Sequence, residues 1–248
     1  MIRTGESRLV DGAWVAVAGV LVIVAVALAQ IAPPDAVQGG IQKLMYLHVP
    51  SALSAYLCYS VVLLASAWFL IRRSATAQDL ARTAAITGVT CTGLTLLTGS
   101  IWGSVTWGTW WAWDPRITST LAMGLVYAAY IGLHHAVVGR AGQTFVAVVG
   151  IAAFASAPIV HFSVIWWRTL HQEPTILAPS LSPPIDGQMG IALGASICAA
   201  AALATLVIRA RMGRLRARQA RTAMEQADPL AQDVPTVAQP VAGAGGPR

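Results

Sequence analysis

Residues 102–116 read Trp-Gly-Ser-Val-Thr-Trp-Gly-Thr-Trp-Trp-Ala-Trp-Asp-Pro-Arg and hold five of the chain's nine tryptophans. Trp is large, and its indole N–H seeks a partner when buried. Five of them interleaved with glycine exceed the needs of a membrane-interface belt. If the stretch is helical, Trp107, Trp110, Trp111 and Asp114 fall at i, i+3, i+4 and i+7 and share one face. That face would be a flat aromatic platform with a carboxylate at its edge, a surface suited to a large planar ligand. Two histidines flank this stretch in the chain, His48 in Met-Tyr-Leu-His-Val-Pro-Ser (45–51) and His171 in Trp-Trp-Arg-Thr-Leu-His-Gln (166–172). Neutral imidazoles can fill the two axial positions of a tetrapyrrole iron. Trp faces can pack on its macrocycle, and Arg116, Arg168 or Lys43 could pair with its propionates.

These groups need elements to hold them. The chain is 248 residues long, 56% hydrophobic and only 10% charged, whereas soluble domains carry about 25% charged residues. Six apolar segments reach the roughly 20 residues that cross a bilayer, at 12–32, 50–71, 83–101, 117–138, 144–165 and 188–208. The first is too long for a signal-peptide core and is read as a retained span. The expected fold is all-α, a polytopic six-helix membrane bundle over residues 1–208 that lies in membrane lipid. Residues 209–248 form a basic cytoplasmic stretch and then, from about Thr222, an Ala-, Pro-, Gln- and Gly-rich tail with little to bury. Basic residues gather in alternate connections: Arg3 and Arg8; Arg72, Arg73 and Arg82; Arg140; then Arg209, Arg211, Arg214, Arg216, Arg218 and Arg221. The positive-inside rule therefore puts both termini in the cytoplasm and accounts for the net charge of +6 without nucleic acid. The Trp loop, His48 and His171 then share the outer face. Pro50 favours a helix start or kink beside His48, because it cannot donate to the carbonyl of Tyr46.

The remaining candidates are weaker. His134 and His135 fall at the inner end of the fourth span and read as structural, while His161, near the outer end of the fifth, is the rival to His171 as second ligand. Asp114 either touches ligand or caps and braces the Trp loop. Trp14, Trp68 and Trp102 read as interface residues. Cys58, Cys91 and Cys198 lie inside apolar segments without a Cys-x-x-Cys pattern and read as small buried side chains. Small residues four apart, Ala84/Gly88, Gly99/Gly103 and Gly190/Gly194, predict close helix approach. No Walker motif is present, so ATP hydrolysis would come from a partner, and the chain is not read as an enzyme. A haem-containing membrane oxidoreductase and a small-solute transporter are the competing classes; the second would want charged residues in mid-span.

Trp107-Gly-Thr-Trp-Trp-Ala-Trp-Asp-Pro-Arg116 resembles the WWD signature of haem-handling proteins of cytochrome c maturation. Together with six spans, Leu47-His-Val-Pro-Ser51 and Trp166-Trp-Arg-Thr-Leu-His-Gln172, it resembles the CcmC family, haem exporter protein C, over nearly the whole chain before the tail. The resemblance implies that His48 and His171 are axial ligands and that Trp107, Gly108, Trp110, Trp111, Trp113 and Asp114 form a periplasmic haem-binding loop. It also implies a bacterial inner-membrane location and haem b as transient cargo. That cargo would be delivered to the periplasmic chaperone CcmE, with CcmA, CcmB and CcmD as further partners.

Overall fold

The computed structural model describes residues 3–171 and 185–227; the tail beyond 227 and Gln172 lie outside the described residues. Seven helices follow in order: α1 (Arg3–Ile31), α2 (Met45–Arg72), α3 (Ala75–Thr106), α4 (Pro115–Ala136), α5 (Gly139–Ala153), α6 (Ser156–Trp166) and α7 (Gly187–Ala227), with a short 3-10 helix, Gly40–Leu44, leading into α2. They form six stretches long and apolar enough to cross a membrane. The expected all-α, six-span architecture is what the chain adopts. Two compact units divide it at 212/213. The first holds the bundle; the second, where described, is helix with exposed Arg214, Arg216, Arg218 and Arg221.

Local chemistry sets the helix ends. α2 stops where Arg73 takes a left-handed conformation (φ 55°) and returns its N–H to the Phe69 carbonyl at 2.8 Å. Ser74 then caps α3 by accepting from Ala77 N–H. Asp114 caps α4, with Pro115 in the first turn, where its missing N–H costs nothing. The fifth span differs from the single helix expected: Phe154 and Ala155 break it into α5 and α6. Pro158 accounts for this, since it has no N–H for the Phe154 carbonyl, which instead accepts from Ala157 N–H at 3.0 Å. Helix α7 runs past the expected end at 208 and carries the whole basic stretch to Ala227 as helix.

Lipid is as apolar as a leucine core, so close packing and polar contacts must hold such a bundle together. α2 and α3 make the most extensive contact. Gly88 allows it, because a Cβ there would lie 2.5 Å from the Tyr59 ring and 3.1 Å from Cys58 Cβ. Tyr59 stacks on Tyr127 (centroids 3.6 Å apart) and bonds Thr92 Oγ1 at 2.8 Å, inside a core shared with Val62, Met123, Tyr130 and Val160. Gly194 has open space around it, so the expected Gly190/Gly194 approach is not made. The three cysteines are free; Cys58 is buried as expected, whereas Cys198 is exposed on the outside of α7. At the end where α2 begins, Leu28, Ala29 and Ala32 of the first span meet Ala192 and Leu193 of α7. Arg209 lies over the Trp14 ring at 5.6 Å.

Candidate functional site

His48 sits in the first turn of α2 and points at α3. Its Nδ1 lies 3.2 Å from Thr98 Oγ1. The Thr98 hydroxyl donates its own hydrogen to the Leu94 carbonyl at 2.7 Å, so toward the imidazole it can only accept. This contact favours a proton on Nδ1 and a lone pair on Nε2. Gly99 is the floor under this ring: a Cβ would meet His48 Cε1 at 2.8 Å. Trp102 meets the ring edge-on (5.8 Å, 82°) and donates from Nε1 to Gln38 Oε1 at 2.8 Å.

Residues 107–114 are not helical, so the expected platform of Trp107, Trp110, Trp111 and Asp114 on one helix face is not built. Gly108 turns the chain with φ +73°, and Thr109 folds its hydroxyl onto the Trp111 carbonyl at 2.9 Å. The residue before Pro115 is held extended, which excludes helix at Asp114. The Trp107 ring stands 4.7 Å from the His171 ring, in space that Gly103 leaves open. Trp110 and Trp113 are 63% and 77% exposed. Trp111 packs edge-on against Trp113.

Asp114, only 4% exposed, organises the second half of the site. Its Oδ1 accepts Arg116 N–H at 2.9 Å, and its Oδ2 accepts the Thr169 hydroxyl and Leu170 N–H. His171 N–H in turn donates to Thr169 Oγ1 at 3.1 Å. His171 Nδ1 stands 3.4 Å from Asp114 Oδ1, within ion-pair reach though not aligned for a hydrogen bond. Burial acts to raise the Asp114 carboxyl, but the bonds from Thr169, Leu170 and Arg116 and the neighbouring His171 outweigh it and hold the group below 3.8. Burial, reinforced by the Arg116 charge, lowers His171 to about 4. The ring is thus neutral at pH 7, the form that binds iron. The carboxylate beside Nδ1 favours a proton there and a free Nε2. Of the two readings of Asp114, bracing is the one these contacts make.

His48, His171, Trp102, Trp107 and Arg116 line one cavity of about 400 Å³. That is within the usual ligand-pocket range of about 300–1,000 Å³. His161 lines it too, so both rival histidines reach the same space. Of the three candidate cations only Arg116 does. Lys43 donates to the Gln30 carbonyl at 2.8 Å, and Arg168 borders a separate shallow hollow with Trp113 and Asp114. Trp102, expected as an interface residue, belongs to the cavity wall. His134 and His135 do not line it; they lie against Tyr130 and Arg82 respectively. Sequence reading missed Thr98, Gly99 and Gln38 as supports. The Gly99/Gly103 pair carried the signal, because both glycines make room for site rings rather than for a second helix backbone.

The sequence profile described as Heme exporter protein C matches residues 6–227. The chain belongs to the CcmC family. Among relatives, a Heme exporter protein C from Bradyrhizobium diazoefficiens is 40% identical over 168 residues, 66% of this chain and 63% of its own length. That of Escherichia coli K12 is 36% identical over 177 residues, 68% and 71% respectively. A ccmC-like mitochondrial protein of cytochrome c biosynthesis from Marchantia polymorpha is 36% identical over 146 residues, 59% of this chain and 62% of its own. The match thus spans just under two thirds of the Bradyrhizobium relative. In this CcmC-family chain the family match over residues 6–227 contains every described residue of the cavity.

Proposed function

We propose that this chain binds haem b as transient cargo between His48 and His171 at the periplasmic face of the bacterial inner membrane and delivers it to the chaperone CcmE. One observation carries the reading. Two imidazoles from different parts of the chain line one cavity, with Thr98 beside Nδ1 of His48 and the Asp114 carboxylate beside Nδ1 of His171, neighbours that favour a free Nε2 on each ring. Bound haem supplies an iron that takes two axial nitrogens. The protein's own residues do the rest. Thr98 and Gly99 fix the His48 ring; Asp114 and Thr169 fix the turn that carries His171; Trp102 and Trp107 supply apolar ring contacts.

The function is binding and transfer rather than bond making, with ATP hydrolysis left to CcmA and CcmB and with CcmD as a further membrane partner. Trp110 and Trp113 project from the same loop without lining the cavity, which suits contact with the receiving chaperone. Detergent-purified protein titrated with haem b should give a bis-imidazole spectrum that His48→Ala or His171→Ala abolishes. His161→Ala should retain it. In cells, chaperone-held haem should fall with the same two variants. Loss of the spectrum in His161→Ala but not in His171→Ala would reassign the second ligand.

A further inference from the structure

Helix α7 does not stop with its apolar part but carries six arginines between 209 and 227, against one acidic residue, Glu225. At the helical advance per residue these arginines do not scatter. Arg211, Arg214, Arg218 and Arg221 follow at i, i+3, i+7 and i+10 and fall within about 80° of one another, a single row along the helix. Glu225, one turn past Arg221, closes the row, and Arg209 and Arg216 lie on the other side. Packing identifies that other side. Ile208 packs on the main core cluster, Arg209 lies over the Trp14 ring at 5.6 Å, and the buried Met212 accepts the Thr83 hydroxyl at its Sδ, 3.6 Å away. All three contacts come from the half of α7 opposite the row. Arg214, Arg218 and Arg221 are exposed, and their guanidinium groups form no hydrogen bond or ion pair among the described residues. The positive-inside bias accounts for the sign of these charges but is indifferent to which face of a helix carries them.

We propose that the row Arg211, Arg214, Arg218 and Arg221 is a binding site for anionic phospholipid headgroups in the leaflet where α7 leaves the bilayer. The level of the row points to lipid. Indole rings concentrate at the membrane–water interface, and Trp14 lies under Arg209, two residues before the row begins. The headgroup layer is about 5–8 Å thick on each side of the hydrocarbon. Arg214 stands about 3 Å of helical rise beyond Met212 and Arg221 about 14 Å, and long arginine stems extend the reach of each charge. A guanidinium fork matches phosphate oxygens with paired N–H bonds, so successive turns of α7 offer successive phosphate positions. Attraction of a juxtamembrane basic residue to an anionic surface amounts to about fivefold in affinity for each residue. This site is independent of the haem reading, since none of its residues lines the cavity.

The test uses the full-length protein in mixed micelles of phosphatidylglycerol and phosphatidylcholine, with native mass spectrometry counting the lipids that stay bound. Wild-type protein is expected to retain phosphatidylglycerol at least about fivefold in preference to phosphatidylcholine, and less so as salt is raised. The decisive variant keeps composition and net charge but breaks the row: Arg218→Gln with Gln219→Arg, and Ala220→Arg with Arg221→Ala. Its preference should fall to within about twofold of parity. The displaced guanidinium groups have no partners to lose, so its thermal unfolding should match the wild type, which separates loss of the site from loss of the fold. A rearranged variant that keeps the full preference would overturn the site and leave the arginines as charge of the right sign alone. No lipid preference in the wild type would overturn it as well, and uptake of polyglutamate by that same protein would assign the row to an acidic protein instead.

Discussion

Gly99→Ala is the sharpest probe of how His48 is held. The new Cβ would stand 2.8 Å from Cε1 and 3.3 Å from Nδ1 of the imidazole, closer than real methyl groups pack. The ring is confined: Trp102 stands at its edge and Thr98 holds Nδ1 at 3.2 Å. If it stays, the overlap costs about 1–3 kcal/mol. If it swings away, it loses the Thr98 bond, about 0.5–1.5 kcal/mol, together with the orientation of Nε2. At 1.4 kcal/mol per decade the first route weakens haem binding by about 5- to 100-fold and the second by about 2- to 10-fold or more. Gly93→Ala on the same helix is the control, since a Cβ there meets nothing within 4 Å. The assay is a haem titration followed by absorbance, with thermal unfolding of both variants recorded alongside. A folded Gly99→Ala protein whose affinity stays within about twofold of wild type would refute the claim that α3 positions this ligand.

Asp114→Asn keeps an oxygen but supplies an N–H where Asp114 accepts from Thr169, Leu170 and Arg116; haem affinity should drop about 10- to 100-fold, as for other partners of metal-bound histidine, and titration of the variant checks it. Trp107→Ala should weaken haem by about 2- to 10-fold through loss of its ring contact with His171, whereas Trp110→Ala and Trp113→Ala should bind normally yet load less chaperone. Normal chaperone loading when both exposed rings are removed would return them to the membrane interface. A reporter fused after Ile208 should be active only in its cytoplasmic form, and periplasmic activity would invert the sidedness on which delivery depends.

The span count was legible because hydropathy alone decides it, and α4 follows its predicted segment closely, whereas α2 begins five residues before its predicted start and α3 overruns both ends of its segment. The break in the fifth span was written in Pro158, but an apolar window averages over one proline and hides it. The histidines could be paired from topology. What holds them could not, since Thr98 lies fifty residues from His48 in sequence, and a threonine in an apolar helix looks like filler. The Trp loop was misread for a related reason. Helical spacing applied to residues 107–114 ignored Gly108 and the extended residue that Pro115 demands, two local signals strong enough to override the pattern. His161 and Arg116 were visible as residue types, yet only the packing of α4 and α6 shows that they share a space with Tyr56.

Asp114 makes the exposed Trp113 and the turn before His171 mechanically inseparable. Trp113 precedes it in the chain, and the Asp114 Oδ2 holds Thr169 and Leu170, the residues that lead directly into His171. A load applied at the exposed rim cannot be absorbed within the loop, because the next residue is anchored to the turn that carries the imidazole. Contact at the surface therefore has leverage on the His171 imidazole, whose ring centre lies 4.7 Å from that of Trp107, with no helix required to shift.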